Sequence, residues 1–193
     1  MKKNQGPLRD VLIIDAQNDY VSGVLACLNA VPAVEKIVQY LNRNQTLRTF
    51  YSLDFHPPSH CSFDTEGGLL PKHCVQETDG CEVSWQLHEE LRNPLQKPRA
   101  DNSFYKGQNE VLDEYSAFDG RTTDGRRLRD ELGNAILLCG MSTEYCVKES
   151  AEAFASAGFD VALYVPGLAW IDRRNHLEVL NVLAEQGIQL IHH

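Results

Sequence analysis

The stretch AILLCGMSTEYCVKESAEAFASA, residues 135–157, constrains the fold of this chain more than any other. Ile136-Leu137-Leu138 is a short apolar run closed by Gly140, the pattern of a buried strand in a parallel sheet. The alanine-rich segment 147–157 has strong helix propensity and side chains small enough to pack closely on that sheet. Cys146 stands between the two. With Ser142 or Thr143 as the cap, its thiol falls in the first helical turn, where unpaired N–H groups and the macrodipole favour a thiolate. A free cysteine is equally at home as a small core residue, so position alone leaves both readings open.

The rest of the chain alternates in the same way. Residues 11–14, VLII, read as a first buried strand, and 31–42 as a helix with apolar residues at Val34, Ile37, Val38 and Leu41 and Pro32 in its first turn. Strands follow at 48–53, 101–105, 160–165 and 188–191. An amphipathic helix is expected at 172–186, capped by Asp172 and stopped by Gly187. Shorter helices are expected at 84–91, 109–115 and 124–132, while 65–99 is otherwise irregular and long enough to suggest a functional loop. The expected fold is α/β: a parallel sheet of about six strands, with helices on both faces, in one domain over residues 1–193.

Composition narrows the partners. A net charge of −9 with no basic patch argues against nucleic acid and against an anionic membrane. The N-terminal MKKNQGPLRD has no adjoining signal-type apolar region, so an intracellular, cytoplasmic location is expected. In that setting the six cysteines are reduced, ligating or catalytic rather than disulfide-bonded. There is no CxxC pair, and hence no thioredoxin-type or zinc-ribbon motif.

Chemistry-bearing residues converge on one place. Asp15, Asp54, Lys106 and Cys146 each lie at or just past the end of an expected strand, and in parallel α/β sheets those ends face a single crevice. In Asp54-x-His56 an extended chain points both side chains the same way. Joined by a remote His73, they form a mixed O/N set suited to zinc, iron or manganese with coordination positions left open. The bland alternative for each histidine is a loop residue bonded to backbone. His88, His176, His192 and His193 have no partner pattern and read as surface or terminal residues.

Taken together, VLIIDAQNDY, LDFHPPSHCSF, LPKHCVQETDG, FYKG and GMSTEYCVKESAEAFASAGF resemble the nicotinamidase branch of the isochorismatase-like cysteine hydrolases. The resemblance implies an Asp15, Lys106 and Cys146 triad that hydrolyses nicotinamide to nicotinate and ammonia through a thioester. It also implies one divalent ion, zinc before iron or manganese, on Asp54, His56 and His73. His60 falls where the family has a nearby histidine, a ligand or a pocket residue. Met141-Ser142 falls at a cis peptide, and the backbone N–H groups of Ser142 and Cys146 fall at the oxyanion hole. Tyr20 and Tyr145 match substrate-lining positions. Leu70 departs from the pattern, standing where many members carry a tryptophan against the pyridine ring; Trp85 on the same loop is a candidate replacement. The implied partner is a small molecule, with a homo-oligomer compatible. Two rivals share the fold: an amidase for a carbamoyl or ureido substrate, and a binding module without catalysis.

Overall fold

The computed structural model describes residues 10–193; the N-terminal residues on which the location was argued, 1–9, lie outside it. Among the described residues no helix is long and apolar enough to cross a membrane.

The first strand, β1 (Asp10–Ile14), is buried on both faces along its whole length. Its side chains alternate between two cores. Val11 and Ile13 join one cluster, with Val34, Ile37, Val38 and Leu41, while Leu12 and Ile14 join the other, with Phe154, Leu180 and Leu183. A strand apolar on both sides can only sit mid-sheet under two helical layers. Each of these side chains, fully buried, contributes about 1.5–3 kcal/mol of transfer free energy.

Among the described residues six strands, β1, β2 (Arg48–Asp54), β3 (Ser103–Lys106), β4 (Ala135–Gly140), β5 (Asp160–Leu168) and β6 (Gln189–Ile191), form one all-parallel sheet in the order β3-β2-β1-β4-β5-β6. After β1 come a single turn, α1 (Asn18–Val21), and α2 (Ala30–Arg43), then β2. The short α3 (Trp85–Glu89) precedes β3, and α4 (Leu128–Glu131) precedes β4. A π-helical turn, Thr143–Val147, leads into α5 (Lys148–Ser156). Next are β5, α6 (Arg173–Glu185) and β6. Asp172 caps α6 as expected, its Oδ1 accepting from the N–H groups of Arg174 and Asn175.

The sequence-level reading fails at three places. Residues 109–115 form no helix: Val111 and Leu112 stay exposed, so the segment has no apolar face to bury. Only one turn forms within 124–132. The helix after β4 is not capped by a hydroxyl. Ser142 makes no capping bond, and Thr143 Oγ1 instead donates to the Ala169 carbonyl at 2.9 Å.

Candidate active site

Strand order reverses between β1 and β4, and the crevice past the strand ends at this switch point is where ligands bind in such sheets. The β2–β3 register places Asp54 directly beside Lys106, and Asp15 follows Ile14, which pairs with Ser52 and Gly140. Gly140 is required here: at φ +114 it lies against β1 so closely that a Cβ would sit 2.0 Å from the Ile14 carbonyl oxygen.

The Lys106 ammonium joins the cluster. Its Nζ lies 2.5 Å from Asp54 Oδ1, 2.9 Å from Asp15 Oδ2 and 3.5 Å from Cys146 Sγ, with all four side chains buried. Ser52 Oγ donates to Asp15 Oδ1 at 2.8 Å. Asp15 Oδ2 has the Lys106 ammonium 2.9 Å away. The Asp15 carboxylate also lies beside the Cys146 thiol, which puts it in position to exchange a proton with the sulfur.

Electrostatics set the resting state. Burial pushes Asp15 up to about 6, against the pull of Lys106. Burial also pushes the Cys146 thiol well above its ordinary value, again against Lys106. Burial therefore works against the thiolate that Lys106 favours. Burial disfavours the Lys106 charge, but Asp15 and Asp54 reverse the sign and hold its pKa well above the usual lysine value. Asp54 goes the other way from Asp15: burial raises it, yet Lys106 and His56 leave it below the ordinary carboxylate value.

Asp54, His56 and His73 meet beside this cluster, with one ligand atom from each within 4.8 Å of the others. His56 Nδ1 lies 2.8 Å from the Gly107 carbonyl and His73 Nδ1 lies 2.8 Å from that of Pro71. Carbonyls only accept, so each ring carries its proton on Nδ1 and keeps Nε2 as a free donor pair, the usual arrangement behind a metal-ligating histidine. Burial holds His56 down to about 4, hence neutral. Donor types, tautomers and protonation all fit a divalent ion.

A cavity of about 460 Å³ opens over Cys146. Ser142, Tyr20, Leu70 and Tyr145 line it, and among the described residues no lysine, arginine or histidine does. Tyr20 links it to the three-ligand cluster, its hydroxyl donating to Asp54 Oδ2 at 2.6 Å. The Met141–Ser142 peptide is cis. His60 lies outside both groups. It stacks on His56 with ring centroids 4.1 Å apart, and its nitrogens face Ser62 Oγ and the Leu112 carbonyl. Trp85 is 60% exposed and does not reach the cavity, so no tryptophan replaces the missing ring.

A model of the isochorismatase domain matches residues 11–193. The chain belongs to the isochorismatase family. A nicotinamidase of Escherichia coli (strain K12) is 28% identical over 190 residues, covering 83% of each chain. A nicotinamidase of Acinetobacter baylyi is 26% identical and covers 94% of this chain and 91% of its own. Among solved structures, the pyrazinamidase of Pyrococcus horikoshii in complex with zinc superposes with a TM-score of 0.82 at 26% identity, covering 97% of this chain and all of that one.

Several residues of this isochorismatase site escaped the sequence reading. Gln17 is buried and clamps the Asp54 backbone: its Oε1 accepts from the Asp54 N–H, while its Nε2 donates to the carbonyls of Asp54 and Cys81. A Cβ on Gly107 would sit 2.4 Å from the His56 ring, so only glycine lets that ring lie against the backbone. His176, expected at the surface, is buried. It stacks on Trp170 and sits 3.0 Å from Thr143 Oγ1, steadying the turn that carries Cys146. A polar residue two positions past Asp15 was the one available hint for Gln17. Nothing in the sequence distinguished His176 from a surface histidine.

Proposed function

We propose that this chain is a metal-containing cysteine amidohydrolase that converts nicotinamide to nicotinate and ammonia. The observation that carries the reading is the position of Lys106 Nζ, within 3.5 Å of both a buried thiol and two carboxylates, one of which belongs to the Asp54, His56 and His73 set.

In the proposed reaction Asp15 Oδ2 takes the Cys146 proton as sulfur attacks the carboxamide carbon, so the thiolate forms only during attack. Lys106 holds positive charge against the developing thiolate. The backbone N–H groups of Ser142 and Cys146 stabilise the tetrahedral oxygen. Asp15 returns its proton to departing ammonia, leaving a thioester. Water, deprotonated by the same carboxylate, then releases nicotinate and the free thiol. A divalent ion on Asp54, His56 and His73, zinc being the first candidate, would supply a Lewis-acid contact for the pyridine nitrogen and fix the ring. The named relatives and the zinc complex of the Pyrococcus horikoshii pyrazinamidase support this reading.

The carbamoyl or ureido alternative loses ground on the cavity lining. Carbamoyl amino acids carry a carboxylate, and no cationic side chain lines the cavity to receive one, whereas Asp113 does line it. The test is ammonia release from nicotinamide and from a carbamoyl amino acid, before and after chelation and after zinc is restored. Turnover of nicotinamide that falls on chelation and returns with zinc supports the proposal; turnover of the carbamoyl acid alone overturns it.

A further inference from the structure

The cavity over Cys146 is larger than a single-ring amide needs. At about 460 Å³ it falls in the range that holds drug-sized ligands, and a six-membered ring with one carboxamide fills only part of it. The spare volume has a definite chemistry. Beyond Cys146, Ser142 and Tyr20, the lining includes Leu25, Leu69, Leu70 and Ile171. Leu69 and Ile171 are 95% and 49% exposed, so this apolar wall continues from the thiol out to solvent. An apolar surface continuous with a pocket marks a ligand-binding groove. Asp113 is the single charged side chain of the lining, which selects against an anionic extension.

We infer that the site takes neutral pyridine carboxamides bearing an apolar substituent, alkyl or aryl, on a ring carbon away from the carboxamide, in preference to unsubstituted nicotinamide. The inference rests on the proposed amide hydrolysis at Cys146 and names its substrate class. The carboxamide lies at Cys146 and the ring beside Tyr20. The substituent runs along Leu25, Leu70 and Ile171, displacing water from surface that nicotinamide leaves wet. Each methylene buried in this way raises kcat/KM about fourfold.

The experiment compares kcat/KM for nicotinamide with that for its ring-alkylated methyl, ethyl and propyl homologues and a ring-carboxylated analogue. The expected result is a stepwise rise from methyl to propyl, reaching at least tenfold over nicotinamide, with the carboxylated compound below nicotinamide. Leu25→Ala with Ile171→Ala should shrink the propyl-to-nicotinamide ratio by about tenfold; because both substrates are read in the same protein, the ratio corrects for partial misfolding. Turnover of nicotinamide that drops tenfold or more on adding a methyl or ethyl group overturns the inference and leaves the nicotinamidase reading intact. A propyl ratio unmoved by the double substitution also overturns it. No turnover of any of these amides overturns both.

Discussion

The first strand is bracketed by two buried aspartates, and they have opposite fates. Asp10, at its start, is completely satisfied: Arg48 Nε and Nη2 reach it at 2.7 and 2.5 Å, and the Gly133 N–H binds it at 2.5 Å. Arg48 itself is half exposed, so the pair keeps one foot in water. Asp15, just past the strand's end, has an equally buried carboxylate, but its partners are Ser52 and a wholly buried cation, and a thiol lies within reach. A buried carboxylate whose oxygens are tied to an arginine and a backbone N–H holds structure together, whereas one beside a buried nucleophile is placed for proton transfer. The carboxyl end of this sheet gathers titratable groups around a thiol, and the amino end carries the Asp10–Arg48 ion pair.

The largest break in that contrast should come from Cys146→Ala, which is expected to lower kcat by about 10⁴-fold or more while circular dichroism and melting stay near wild type. Next is a paired substitution. Asp15→Asn should lower kcat by about 10²–10⁴-fold without loss of stability at neutral pH. Asp10→Asn should leave kcat within a few fold yet cost about 1–3 kcal/mol on chemical unfolding, because the amide loses charge-assisted bonds to Arg48 and to the Gly133 N–H. Reversal of those two outcomes would erase the distinction.

The pH profile sharpens the same contrast. Activity needs ionised Asp15, so kcat/KM should rise with pH through about 6. Stability runs the other way at this residue. Its folded pKa lies above the unfolded value, so its contribution is full below the ordinary carboxylate pKa and is lost as pH climbs through about 6. Asp15→Asn should flatten both dependences. His56→Ala should lose bound zinc, measured by elemental analysis, with a rise in KM for nicotinamide. The smallest effect is expected of Tyr20→Phe. Removing the hydroxyl that donates to Asp54 Oδ2 should weaken zinc affinity by about 10–100-fold in a competition titration.

Much of this architecture was legible in the chain because it depends on local pattern. Both-face apolar runs such as VLII dictated the central strands, and strand ends located Asp15, Asp54, Lys106 and Cys146 together. What stayed hidden depended on long-range partners. Burial works against a thiolate at Cys146, and burial is a property of the assembled cores. His73 reaches the site because its loop pairs with His56: the His56 N–H bonds the Cys74 carbonyl, and the Gln76 N–H bonds that of His56. No periodicity announces such a contact.

The most direct test of the central claim, attack by Cys146 with Asp15 as its base, is intact-protein mass spectrometry of acid-quenched turnover with nicotinamide. The prediction is an adduct of one nicotinoyl group, mapped to Cys146 after digestion and absent from Cys146→Ala, with its formation slowed in Asp15→Asn. Sustained ammonia release by Cys146→Ala would contradict it.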